Sequence, residues 1–101
     1  MAEFRKAARA AEIPVGSGKT VEMEGKRIAL FNMEGKFYAV DDVCLHKGGP
    51  LGEGSLEGSV VTCPWHGWQY DVKTGVNTRN SKIQVKAYAV KLDGEDLLIQ
   101  V

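Results

Sequence analysis

Every cysteine and histidine in this 101-residue chain falls between positions 44 and 66, in two mixed pairs. Cys44-Leu45-His46 is followed, sixteen residues later, by Cys63-Pro64-Trp65-His66. A chain with this spacing must bring two loops to one point, each presenting a thiolate and an imidazole. Together they make a four-donor site. Sulfur and nitrogen donors suit zinc or iron–sulfur chemistry and not magnesium or calcium.

The residues around the pairs fit a cluster better than a single ion. Bridging sulfides accept hydrogen bonds and need backbone N–H groups nearby. Gly48, Gly49 and Gly67 let the backbone approach with no Cβ in the way. Pro64 fixes φ in the second loop, and hydrogen bonds to the sulfurs tune the potential. Zinc is the chemical rival, because it accepts two cysteines and two histidines. Zinc modules, however, tend to pair Cys with Cys and His with His. A zinc-stapled, non-redox interaction module is therefore the alternative reading.

The rest of the chain reads as short strands divided by Gly turns. Thr20–Glu24, Arg27–Asn32 and Phe37–Val40 are separated by Glu24-Gly25-Lys26 and Glu34-Gly35-Lys36, which are hairpin signals. Val60–Cys63, Trp68–Val72, Val85–Leu92 and Leu97–Val101 are further strands, the last two joined through Asp93-Gly94-Glu95-Asp96. Phe4 and the residues after it suit a first strand, and Lys6–Glu12 offers the best single turn of helix. Between Asp41 and Gly58 six residues are Gly or Pro, a density that predicts loop and no regular strand. The fold class expected is all-β, an antiparallel barrel or sandwich.

Composition narrows the function. Thirteen basic and thirteen acidic side chains give a formal net charge of zero. No basic excess exists to neutralise nucleic-acid phosphates or to seek an anionic membrane. The same neutrality predicts docking that responds little to salt. No apolar run approaches the roughly 20 residues that span a bilayer, and Arg5, Lys6 and Arg9 interrupt any secretory core at the start. Two cysteines without a signal sequence point to a reducing cytoplasm. Gly16-Ser17-Gly18-Lys19-Thr20 lacks the upstream glycine of a phosphate loop, since residue 13 is Ile, and reads as a turn.

Cys44-x-His46-x-Gly48-Gly49-Pro50-Leu51 and Cys63-Pro64-Trp65-His66-Gly67-Trp68-x-Tyr70-Asp71-x-x-Thr74-Gly75 resemble the two cluster loops of the Rieske family. Glu12-Ile13-Pro14-x-Gly16 and Tyr38-Ala39-Val40-Asp41-Asp42 also match Rieske ferredoxins, in particular the ferredoxin component of ring-hydroxylating dioxygenase systems. The resemblance implies one domain over 1–101, with a β base and a cluster-binding subdomain of two loops at about 41–80. It implies a single [2Fe–2S] cluster, with Cys44 and Cys63 on one iron and His46 and His66 on the other. Gly48, Gly49, Gly67 and Tyr70 would serve the cluster without ligating iron. The implied role is one-electron transfer from a flavoprotein reductase to a terminal oxygenase, by a cytoplasmic monomer with no bond chemistry of its own. The small Rieske-like subunit of a nitrite-reductase-type complex is a second possibility within the resemblance.

The motifs also suggest a potential. High-potential members carry two further loop cysteines, at positions held here by Gly49 and Trp65, and a serine where Trp68 stands. Tyr70 is kept and is placed to donate to a cysteine sulfur. Fewer donors predict a midpoint in the lower half of roughly −150 to +300 mV. Imidazole ligation further predicts a midpoint that falls with pH in the alkaline range. Docking is expected near His46 and His66, with Leu45, Leu51 and Trp65 as an apolar collar. Trp68, Tyr70 and Val72 alternate, so one face of that strand belongs to the core. Residues 76–81 replace a proline-containing third loop with a polar one, which suggests a more mobile cover.

Overall fold

The computed structural model describes residues 4–42, 49–65 and 67–100. Among them the chain forms three antiparallel sheets. The middle sheet is β2 (Gly18–Met23), β3 (Lys26–Met33), β4 (Lys36–Asp41) and the short β8 (Ala87–Tyr88). A second sheet sets β10 (Asp96–Gln100) between β1 (Phe4–Arg9) and β9 (Val90–Asp93). The third is the meander β5 (Ser55–Glu57), β6 (Val60–Thr62) and β7 (Gln69–Asp71).

The Glu-Gly turns behave as their chemistry requires. Glu24 and Gly25 have φ of 50° and 78°, and Glu34 and Gly35 have 53° and 90°. Two left-handed residues in a two-residue loop make the turn whose twist matches its flanking strands. Met23 pairs Lys26 and Met33 pairs Lys36, so both hairpins close without a bulge.

β3 shows how the layers stack. Ile28, Ala29, Leu30 and Phe31 are all fully buried. Ile28 and Leu30 join a core with Ile13, Leu97 and Ile99, beneath the β1–β10–β9 sheet. Ala29 and Phe31 face the other way, into a core with Leu51, Val61, Cys63, Tyr70 and Val72. The middle sheet is thus a wall between two cores, and a strand covered on both faces reads as a continuous apolar run. The second core is the one that carries the cysteine.

The structure corrects three of the expected elements. Lys6–Glu12 is not one helical turn, because Lys6 to Arg9 continue β1 against β10 and only Ala10–Glu12 makes a 3₁₀ turn. Val85–Leu92 is not one strand. β8 pairs with β4 and β9 with β10, and the chain changes sheets at Ala89. The stretch 41–58 does contain a strand, β5, which pairs with β6 through the Gly58-Ser59 turn. Glycine density marks the segment before that strand and does not extend through it.

Candidate metal centre

The second ligand loop is the connection of the β6–β7 hairpin. Its ends are tied, with the Cys63 N–H donating to the Trp68 carbonyl at 2.7 Å and the Gly67 N–H to the Cys63 carbonyl at 3.1 Å. Gly67 takes φ of +76°, the left-handed conformation that closes the turn. Cys63 is 2% exposed and packs in the core with Tyr70 and Val61. Trp65, two residues on, is 57% exposed.

The first ligand loop leaves the end of β4 and returns at the 3₁₀ turn Leu51–Glu53. Its stem is held by Asp42, whose side chain is fully buried. The Asp42 N–H donates to the Arg27 carbonyl at 3.0 Å, and the Asp42 carbonyl accepts from the Leu51 N–H at 2.7 Å. Oδ1 accepts from the Thr20 hydroxyl at 2.9 Å and from the Gly52 N–H at 2.7 Å. Oδ2 lies 3.1 Å from the Arg27 guanidinium, an ion pair without hydrogen-bond alignment. Gly52 permits this closeness, because a Cβ there would stand 2.8 Å from the Thr20 backbone nitrogen and 2.9 Å from Asp42 Oδ1.

One residue earlier in the stem, Asp41 Oδ1 accepts from the Tyr88 hydroxyl at 2.6 Å. Burial, then the Asp41 hydrogen bond and charge, push the Tyr88 pKa up. A phenol whose folded pKa exceeds its unfolded value of about 10 stabilises the fold fully below that pH. The contribution is lost as pH climbs toward the folded value. Tyr88→Phe is expected to cost about 1 kcal/mol at neutral pH. Urea titrations through the alkaline range should show wild type losing that advantage while the variant does not.

Gly49 brings the two loops together. A Cβ built on it would stand 2.7 Å from Cys63 Sγ and 3.0 Å from Trp65 Cγ. Backbone therefore passes directly over the cysteine sulfur, the approach expected of a site whose sulfurs receive main-chain N–H groups. A Cβ at Gly49 would also lie 3.2 Å from that of Trp65, so the positions of the two extra cysteines in high-potential relatives face each other here. On this test the residues present fit a sulfur-ligated centre.

The expected residues are placed as follows. Cys63 and Gly49 are adjacent, Gly67 closes the second loop, and Tyr70 is fully buried in the same core as Cys63. Cys44, Leu45, His46, Gly48 and His66 lie outside the described residues. Trp68 packs partly buried against the core that holds Tyr70 and Val72, so that face of β7 is the inner one. Leu51 contradicts its assignment to a docking collar. It is fully buried in that core, held by its N–H bond to Asp42, and offers no surface.

Asp42, Arg27 and Thr20 were not visible as site residues in the sequence. A polar residue two positions before an expected ligand, Cys44, was the one available signal. Asn77 was missed as well. It is buried, and its Oδ1 accepts from the N–H groups of Arg79 at 2.9 Å and Asn80 at 3.1 Å. Its own N–H donates to the Ile83 carbonyl at 2.9 Å, and the Thr78 N–H donates to Gln69 at 3.0 Å. The third loop thus holds an Asx-type turn at Asn77 and is tied to β7 by the main-chain bonds Thr78 N–H to Gln69 and Asp71 N–H to Val76. The polar loop expected at 76–81 is therefore bonded to its neighbours although it has no proline.

Comparison with known proteins agrees with this architecture. The family model of the Rieske [2Fe-2S] domain matches residues 3–97. The chain is 38% identical over 91 residues, covering 89% of it and 88% of the relative, to the ferredoxin component of a naphthalene 1,2-dioxygenase system from Pseudomonas aeruginosa. Among solved structures it superposes on the ferredoxin of carbazole 1,9a-dioxygenase from Nocardioides aromaticivorans IC177. The TM-score is 0.88 at 25% identity, over 96% of both chains. A complex of reduced oxygenase and oxidized ferredoxin in carbazole 1,9a-dioxygenase matches at TM-score 0.87 and 26% identity, over 96% of this chain and 92% of that one. With the family model covering nearly its whole length, this chain belongs to the Rieske [2Fe-2S] domain family.

Proposed function

We propose that the protein carries one electron at a time from a flavoprotein reductase to a terminal oxygenase. In this reading Cys44 and Cys63 bind one iron of a single [2Fe–2S] cluster, and His46 and His66 bind the other. When bound, the cluster supplies reversible one-electron chemistry at a potential raised by the two neutral imidazoles. The chain's own residues do the rest. Asp42 anchors the first loop, and the bonded ends of the β6–β7 connection hold the second. Gly48 and Gly49 bring backbone to the sulfurs, Gly67 closes the second loop through its left-handed turn, and Tyr70 lies behind Cys63.

The chain then acts as one domain, with the cluster-binding part spanning about 41–80. No bond of any substrate is made or broken on it. Trp65, with Leu45 beside the histidines, supplies the apolar part of the docking surface, and Leu51 takes no part. A reducing cytoplasm suits its thiolate ligands. Among the described residues no helix is long and apolar enough to cross a membrane.

The observation that carries this reading is backbone at Gly49 held against Cys63 Sγ, in a chain of this family. The likeness to ferredoxin components of dioxygenase systems supports the oxygenase as acceptor. Anaerobically purified protein should be red-brown, with about two irons and about two acid-labile sulfides per chain. Its midpoint should fall in the lower half of the span of roughly −150 to +300 mV. Colourless protein holding one zinc and no labile sulfide would establish the zinc-stapled module instead. A midpoint above about +200 mV would overturn the account of the sulfur hydrogen bonds.

A further inference from the structure

The formal charge of zero hides a one-sided distribution. From Gly58 to Tyr70, the run that holds the second ligand loop, no side chain is Asp, Glu, Lys or Arg. Between Asp71 and Asp93 there are five basic side chains and no acidic one. The fold decides where this basic run is displayed. β7 leads away from the ligand loop, and residues 76–79 return alongside it, with Asp71 N–H bonded to Val76 at 2.9 Å and Thr78 N–H to Gln69 at 3.0 Å. Arg79 and Asn80, the first half of the apex Arg79-Asn80-Ser81-Lys82, therefore stand beside Gly67 and Trp68.

Arg79 and Lys82 are both exposed, and neither forms an ion pair among the described residues. Arg79 lines a groove of about 440 Å³ with Gly67, Trp68, Gln69, Thr78 and Ile83. No acidic side chain lines that groove. Exposed Trp65 sits in the same hairpin loop, two residues before Gly67.

We infer that this groove and the Arg79–Lys82 apex seat an acidic surface of the terminal oxygenase, holding it over the second ligand loop. The inference rests on the electron-carrier reading above and names the chemistry of that partner. The molecule measures 36 × 30 × 19 Å, while the Debye length at physiological salt is about 8 Å. A partner at the loops therefore feels the local basic charge and not the neutral sum. Docking should respond strongly to salt, contrary to what net charge alone suggests. The oxygenase is the occupant, since a ferredoxin of this fold is found in complex with an oxygenase.

The test uses the cluster-loaded full chain and its Arg79→Gln/Lys82→Gln variant. Both side chains are free to change, because only their main-chain N–H groups bond to Asn77 and Asn80. Stopped-flow rates of electron transfer are read with two acceptors across about 10 mM to about 0.5 M salt. One is ferricyanide, a small anion, and the other is the terminal oxygenase of a naphthalene 1,2-dioxygenase system. Wild-type rates with both should fall about tenfold as salt rises. The variant should be about three- to tenfold slower at low salt and nearly flat. Salt-independent wild-type rates, a variant indistinguishable from wild type, or no transfer to the oxygenase would each overturn the proposal. So would a salt response seen with ferricyanide and not with the oxygenase. Protein without a cluster sinks both readings together, whereas clustered protein that transfers without a salt response sinks this one alone.

Discussion

Replacing Gly49 with alanine is expected to leave a folded chain that takes up little or no iron. The added Cβ would stand 2.7 Å from Cys63 Sγ, closer than real Cβ contacts come, and 3.0 Å from Trp65 Cγ. Cys63 is 2% exposed in a packed core, so its sulfur cannot move without disturbing its neighbours. Either the first loop lifts away or the cysteine changes rotamer, and both separate the two halves of the ligand set. Overpacking alone costs about 1–3 kcal/mol, which a domain of ordinary stability survives. Disturbed support around a metal ligand typically weakens binding about 10–100-fold. Gly67→Ala is the control. Its φ is +76°, but nothing lies within 4 Å of the added Cβ. That substitution should cost about 1–2 kcal/mol in backbone strain and keep its iron. Iron and labile-sulfide content, read beside thermal unfolding by circular dichroism, separates the cases. A Gly49→Ala protein with full iron would remove the close approach as a requirement of the site.

The elements most legible in the sequence were those with local causes. Both Glu-Gly hairpins sit where a two-residue left-handed turn must sit, and period-two burial of Leu97 and Ile99 follows from an edge of one core. β5 was hidden because its three residues follow closely spaced glycines, and its pairing with β6 is set by tertiary contact. β8 and β9 were merged because both alternate alike, and only the exchange of partner sheets divides them. The candidate site shows the same contrast. Cysteine and histidine spacing is written in the chain, whereas the support is not. Asp42 looks like one more acid next to Asp41 until Thr20 and Arg27, from β2 and β3, converge on it. Leu51 looked like surface beside a ligand loop, but a residue that closes such a loop at its stem is drawn into the core. Net charge was equally silent about the basic apex at Arg79 and Lys82, since a sum discards position.

Asp42→Ala is expected to be strongly destabilising, on the scale of truncating a large core side chain. The carboxylate is fully buried and meets partners from three separate segments: Thr20, Arg27 and Gly52. Removing it leaves the Gly52 N–H without an acceptor in a closed space and opens a void between Thr20 and Gly52. A lost hydrogen bond to a charged group costs about 1.5–3 kcal/mol, and an orphaned buried donor costs about 1–3 more. A total of about 3–4 kcal/mol is expected, less than the full sum because Arg27, half exposed, can turn to water. Asp42→Asn keeps an acceptor at Oδ1 and loses only the charge, so about half that loss is expected. Arg27→Gln leaves the carboxylate in place with Oδ2 buried and without a countercharge. It should cost about 2 kcal/mol although Arg27 itself is half exposed. Urea unfolding of the iron-free protein gives these differences without interference from the cluster. Midpoint potentials of the loaded variants test the charge separately. Loss of a buried negative charge near the cluster stabilises its reduced form, so the potential of Asp42→Asn should rise and that of Arg27→Gln should fall. Opposite signs on the potential, with losses of stability in both variants, are what an anchoring ion pair produces and what a purely packing role for Asp42 does not.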